Sequence, residues 1–466
     1  MRLQCTFHTS VMPRTPHERT AMPWMLSRRY CLERAGYLPL ALLALTTATA
    51  VAQTQTTPGA GNAQAVLTAN NAPLVQSAYH FLQAQIGRLS DDNLRTQTYD
   101  AIVNPDTCVL HRANLKPADR QAIVATLLAQ GLLNKADDAT FPGGLIAGVF
   151  PPVLNDNSAC PHLPQPFYSA PGSSFGSHHS YPGGLPVHES NNETADINLA
   201  SEYHSVYGQY DANGLDFVNA DTIAHPTPQN VAALAPYLSP DLIVGAPLWH
   251  DWAKSIVFQW NADGTEFQEL SIGGAGASMD DYGQAGDART GGHHILSIAE
   301  AMKRGLSPAF LITQASAHSA PTSGNEFKVV NWIRAAAIIA QQDPLAKGYL
   351  IKDGSGNYRL PALEQTGEVD LVAAGQTNIL TEYELHNLSD SDFTFSGPSV
   401  AAVQLVLAQV AGSFGYNAAD TATYNNKFRN VVLANFSAER LYAVYSANGL
   451  DGVRIEVQML RSKGSL

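Results

Sequence analysis

The chain has 466 residues, of which 45% are hydrophobic and only 14% charged, so it can bury a large core and is neither a disordered tail nor a solvating segment. Its formal net charge is -13. With no basic run beyond the first fifty residues, that balance excludes a general affinity for nucleic acid, whose backbone rewards clustered Lys and Arg, and no extended nucleic-acid surface is expected.

Residues 1–52 read as a cleavable export signal. Arg28, Arg29 and Arg34 lead into LPLALLALTTATAVA, an apolar run too short to span a bilayer that ends in the small residues Ala50, Val51 and Ala52. SRRYCLE resembles a twin-arginine signal at Ser27, Arg28, Arg29 and Leu32 and departs from it at Cys31 and Glu33. A general secretory signal fits equally well. The mature protein is expected outside the cytoplasm, periplasmic or secreted, with no membrane span. Cys5 and Cys31 fall in the leader, which leaves Cys108 and Cys160 either to pair in an oxidising compartment or to stand as two separate buried thiols.

Polar, low-complexity sequence over residues 53–65 reads as a disordered spacer. Residues 66–176 are expected to hold two or three N-terminal helices and a long loop. Leu74, Ala78, Phe81, Leu82 and Ile86 fall at helical spacing over 74–89, Pro117 opens a second helix over 117–133, and breakers fill 141–176. A core over 177–396 follows, with helices predicted at 187–207, 231–238, 247–258, 293–302, 308–318 and 327–341. Residues 261–292 alternate around 267–272 and then turn Gly-rich, as a small hairpin or loop insertion able to cover a site would. After residue 396, helices are predicted at 400–410 and 428–445 and a terminal strand at 452–460, a C-terminal extension packed on the core. The fold class expected is all-α.

Five stretches carry the chemistry, in this order: HHSYPGGLPVHE from His178, LWHDWAK from Leu248, GGHHILS from Gly291, ASAHSAP from Ala315 and LHNLSDSD from Leu385. The adjacent His250-Asp251 pair is the most informative of them. It sets an imidazole beside a carboxylate with Lys254 a turn away, so that two metal-ligand types and a cation share one volume.

The same stretches resemble the motifs of the HD-domain metal-dependent phosphohydrolases. HHSYPGGLPVHE is similar to an HHxxxGGLxxH opening, and LWHDWAK to the HDxGK signature at His250, Asp251 and Lys254; the other three follow in the family's order. The resemblance implies an HD-like helical core and metal ligands at His188, His250, Asp251, His294, His318 and Asp390. Asp251 would bridge two ions and Lys254 would bind a phosphate oxygen. His294 is preferred to His293 because Ile295 follows it, and Asp390 is preferred to Asp392. Ala317 stands where relatives have the first histidine of a pair, and Ala253 stands at the glycine of HDxGK. One or two ions are therefore expected, with Mn, Fe, Ni, Co and Zn all compatible with His and Asp ligands.

The activity so implied is hydrolysis of a small phosphorylated substrate by a metal-bound hydroxide, with His178 or His179 assisting the leaving oxygen. A di-iron oxygenase on the same ligands and a metal-binding protein without turnover are the alternatives. His80, His111, His162 and His225 read as ordinary histidines. The stretch GGAGASMDDYGQAG lacks the GK[ST] ending of a phosphate-binding loop.

Overall fold

A computed structural model describes residues 59–207, 238–265, 267–275, 288–321, 325–361, 368–369 and 379–466. They belong to one compact unit, Thr54–Leu466. The leader, nearly all of the helix predicted at 231–238 and half of the Gly-rich stretch lie outside the described residues. What is described is helical apart from three short hairpins, in agreement with the all-α expectation.

Helix α1 (Asn62–Asn70) begins inside the stretch read as spacer, so that spacer ends earlier than expected. Helix α2 (Pro73–Ile86) starts on a proline whose missing N–H costs nothing in a first turn, and it buries Val75, Ala78, Leu82 and Ile86 along one face. Helix α3 (Asp92–Val103), which the sequence reading missed, is capped by Asp91, whose side chain accepts from the Leu94 N–H at 2.7 Å. Helices α4 (Pro117–Ala129), α5 (Asp137–Thr140) and α6 (Gly144–Val149) follow, the last interrupting what reads as a continuous loop over 141–176. A disulfide joins Cys108 to Cys160 across this region.

Helix α7 (Gly184–Tyr207) is the spine of the core. It packs against α2, α8 (Pro240–Trp249) and α13 (Thr381–Ser389). The single helix predicted over 247–258 is divided in two. Helix α8 stops at Trp249, residues 250–253 form a turn, and α9 (Lys254–Val257) resumes. Side-chain anchors on both flanks explain the break: the Trp249 and Trp252 indoles donate to Thr98 Oγ1 (2.8 Å) and to the Ala101 carbonyl (2.9 Å) on α3. Helices α10 (Gly292–Lys303), α11 (Pro308–Ser316) and α12 (Glu326–Ile339) lie where the periodicity puts them. Strand β1 (Ser271–Ile272) pairs antiparallel with β2 (Thr290–Gly291), which forms the predicted insertion. Two more pairs, β3 (Ile351–Lys352) with β4 (Tyr358–Arg359) and β5 (Glu368–Val369) with β6 (Ile379–Leu380), were not anticipated.

At the C-terminus, α14 (Phe393–Ala411), α15 (Thr421–Tyr424), α16 (Asn430–Phe436) and α17 (Ala438–Ser462) build a second apolar cluster with Ala69, Val75 and Tyr181. The predicted strand at 452–460 is part of α17. Its buried Val453, Val457 and Leu460 follow helical spacing, which a period-two reading of a short apolar run cannot separate from a strand. The helix predicted over 428–445 is broken at Ser437, which adopts φ 58° and caps α17 by accepting from the Arg440 N–H. Among the described residues one stretch, Thr381–Phe414, is long and apolar enough to cross a membrane, with a mean hydropathy of 1.3 over an 18-residue window. It consists of α13 and α14, joined by a turn that carries Asp390 and Asp392.

Candidate metal centre

The turn at 250–253 is the structural heart of the site. Ala253 N–H donates to Ser297 Oγ on α10 (2.9 Å) and Lys254 N–H to the Asp251 carbonyl (2.8 Å), so the backbone of a buried, non-helical segment is satisfied. Held this way, the Asp251 carboxylate lies among its neighbour His250 and three histidines from elsewhere in the chain, His188, His293 and His318. Its Oδ2 is 3.2 Å from His188 Nε2 and 3.3 Å from His250 Nε2, and its Oδ1 is 3.0 Å from His293 Nε2. Asp390 closes the far side, 3.4 Å from His188 Nε2, 3.7 Å from His250 Nε2 and 3.9 Å from His318 Nε2.

Each of these imidazoles is aimed by its other nitrogen. His188 Nδ1 faces Asp392 Oδ1 (2.9 Å), His250 Nδ1 the Pro247 carbonyl (3.1 Å) and Glu189 (3.3 Å), His293 Nδ1 the Glu269 carboxylate, and His318 Nδ1 Thr290 Oγ1 (2.6 Å). A partner on Nδ1 fixes the ring and leaves Nε2 as the ligand atom, the usual support for a metal-bound histidine. All four Nε2 atoms then converge on Asp251 and Asp390. Of the groups whose ligand atoms lie within 4.8 Å of one another, two meet here, His188 with His250 and Asp251, and Asp251 with His293 and His318. Asp251 is common to both.

The residues fit a metal on a further ground. Among the described residues, His250 Nε2 and His293 Nε2 are buried without a well-aligned hydrogen bond, and the Asp251 carboxylate that they face is ion-paired with Lys254. Each such nitrogen costs about 1–3 kcal/mol when left unsatisfied, so a cation that met both would remove that penalty. The donor set of imidazole and carboxylate suits a divalent transition ion.

The structure reverses the choice within the histidine doublet. His293 faces Asp251, whereas His294 Nε2 points to the Ala315 carbonyl (3.1 Å) and its ring stacks on His318 with centroids 4.1 Å apart. Successive residues on a helix point about 100° apart, so only one of the two can reach the carboxylate. The role of His294 is to back His318. Within the closing pair, Asp390 faces the Nε2 atoms while Asp392 holds His188 from behind. Lys254 is buried with its ammonium against Asp251 and the Gly172 carbonyl. His179 Nε2 lies 2.7 Å from Asp392 Oδ2, and the His178 ring lies 4.7 Å from that of His188. Burial, reinforced by His188 and Lys254, holds the pKa of His178 well below that of an ordinary imidazole, which argues against the proton-donor role expected of it.

Burial alone would lower the pKa of His250, but Asp251, Glu189 and Asp390 outweigh it and lift the ring to about 9. His318 goes the other way, to about 4, through burial and the neighbouring His293. On α7, Glu189, Glu193 and Asp196 sit at helical spacing behind the site, all fully buried. Burial pushes Glu189 up to about 8 and Glu193 and Asp196 well above the carboxylate range. The negative charge of the centre therefore rests with Asp251, Asp390 and Asp392, all held low by the surrounding histidines against the effect of burial.

This acid row gives a pH prediction. A glutamate whose folded pKa is raised destabilises the fold as pH climbs past its ordinary value of 4.5, because only the unfolded chain then ionises freely. Glu193→Gln is accordingly expected to raise the melting temperature at pH 8 and to change it little at pH 4. An equal shift at both pH values, read by circular dichroism, would contradict a neutral Glu193.

The motifs named His188, His250, Asp251, His318 and Asp390, but not the residues that aim them. Glu189 was detectable, since it adjoins His188 and heads an i, i+4, i+7 acid face that an ordinary helix would show to solvent. Glu269 and Thr290 carry no local signal, because they meet the histidines only once the hairpin folds back. No family model matches this chain, and neither does any curated protein or solved structure.

Proposed function

We propose that this protein is an exported, metal-dependent phosphohydrolase of the HD-domain kind, acting on a small phosphoester. One observation carries the reading: Asp251 is shared by two separate groups of ligand atoms, as a carboxylate bridging two ions would be. His188 and His250 would hold one ion, His293 and His318 the other, and Asp390 would serve as a further carboxylate. A bound dication in such a site lowers the pKa of a coordinated water towards about 7 and polarises a phosphoryl oxygen. The chain itself supplies the fixed directions of the imidazoles, a dry surrounding that strengthens electrostatic interactions, and the Lys254 ammonium at the edge of the cluster as a second cation for phosphoryl oxygens. The Cys108–Cys160 disulfide supports the export part of the reading, since such bonds persist in oxidising compartments.

Mature protein loaded with Mn²⁺ is expected to hydrolyse bis(p-nitrophenyl) phosphate and to lose that activity on chelation. Bound metal without turnover on this or monoester substrates would favour a metal-binding role. Iron content with oxygen consumption would favour the oxygenase that the same ligands permit.

A further inference from the structure

We infer that a third divalent transition-metal site, distinct from the two that meet at Asp251, is formed by His178, His179 and Asp392. Ligand atoms of these three residues and of His188 lie within 4.8 Å of one another. His188 divides its two nitrogens between the regions, with Nε2 towards Asp251 and Nδ1 towards Asp392, so its ring separates the new site from the first centre. Two imidazoles and a carboxylate then remain as the site's own ligands. That set favours a transition ion over Mg²⁺ or Ca²⁺, which prefer all-oxygen surroundings.

Three features show that this corner is built for more than packing. His178 Nδ1 is buried with no hydrogen-bond partner among the described residues, although its ring lies against that of His188. His179 adopts φ 46°, a left-handed conformation that costs a non-glycine residue energy and persists only where the surroundings enforce it. Those surroundings are two glycines. A Cβ on Gly184 would lie 1.8 Å from the His179 carbonyl oxygen, and one on Gly172 would lie 2.6 Å from the His179 Cβ, so both positions must be bare for the turn to close. Tyr181 Oη, 3.1 Å from His179 Nδ1, then fixes the ring so that Nε2 faces Asp392. With an ion bound, Nδ1–H would donate to the phenol oxygen and Nε2 would give its lone pair to the ion in place of a proton to Asp392.

The third feature is access. A cavity of about 420 Å³ opens against His179 and Asp392, with Ser190, Asn191, Thr194 and Glu439 also on its wall. A cation held by three protein ligands there keeps coordination positions open to the cavity, as catalytic sites do and closed structural sites do not. The cavity is acidic through Asp392 and Glu439, and among the described residues no lysine or arginine lines it. A metal at Asp392 would supply the positive charge that an anionic ligand entering by this route requires. The site stands on its own residues and does not depend on hydrolysis at Asp251.

Equilibrium dialysis against MnCl₂ followed by elemental analysis counts Mn²⁺ per folded chain in wild-type protein and in three variants. His178→Ala and His179→Asn, the latter chosen because asparagine tolerates the left-handed region, are each expected to lose one equivalent and keep those at Asp251. Asp251→Ala should do the reverse, losing the Asp251 ions and retaining one. An undiminished count in both histidine variants, with circular dichroism showing them folded, overturns the third site while leaving the Asp251 centre intact. Loss of one ion from the histidine variants with none lost from Asp251→Ala supports the third site and removes the basis of the proposed hydrolase.

Discussion

Asp251→Ala is expected to release the metal at the central cluster and to reduce phosphodiester hydrolysis by more than about 100-fold, the upper end of what the loss of a mere supporting residue costs a metal site. The size of the effect follows from position. Among the described residues Asp251 is the one carboxylate within reach of His188, His250 and His293 at once, and its two oxygens face different imidazoles. Its removal leaves those histidines and Lys254 crowded together with less negative charge among them. The metal-free variant should therefore lose stability towards low pH, where the histidines protonate, more than wild type does. Metal content and a thermal melt at pH 5.5 and pH 8 check both parts; a fully metallated, active Asp251→Ala protein would contradict the role.

The doublet on α10 provides the second large contrast. His293→Ala is expected to lower metal affinity by more than about 100-fold, because it removes a ligand atom 3.0 Å from Asp251 together with its support from Glu269. His294→Ala should keep the metal and lose stability instead, by about 1–3 kcal/mol, since it empties a fully buried position packed against His318 and Trp332. Metal titration and denaturant unfolding read the two outcomes separately. Equal metal loss in both variants would place the ligand role on neither residue alone.

That contrast also marks how far the sequence could be read. The residues that gather at the candidate centre were legible at His188, His250, Asp251, His318 and Asp390, because each sits in a short motif with a recognisable neighbour. The choice between His293 and His294 was not, since it depends on how α10 is rotated, and that is set by packing against α11 and α12 rather than by residue 295. Helical periodicity located α2, α4, α7, α10, α11, α12 and α14. It failed where the deciding contact is distant: nothing near residue 250 announces that Trp249 and Trp252 will anchor to α3 and open the helix into a turn. Asp392 shows the same limit, being indistinguishable from Asp390 by spacing yet facing His188 Nδ1 and His179 rather than the Nε2 atoms.

The central claim is that Asp251 bridges two metal ions, and anomalous X-ray diffraction at a metal absorption edge tests it most directly, on crystals of protein purified from its native compartment. Two peaks are expected at this cluster, one on each side of the Asp251 carboxylate, the first beside His188 and His250 and the second beside His293 and His318, apart from the third ion proposed at His178, His179 and Asp392. A single peak away from Asp251, or none in a protein that hydrolyses phosphoesters, would contradict it.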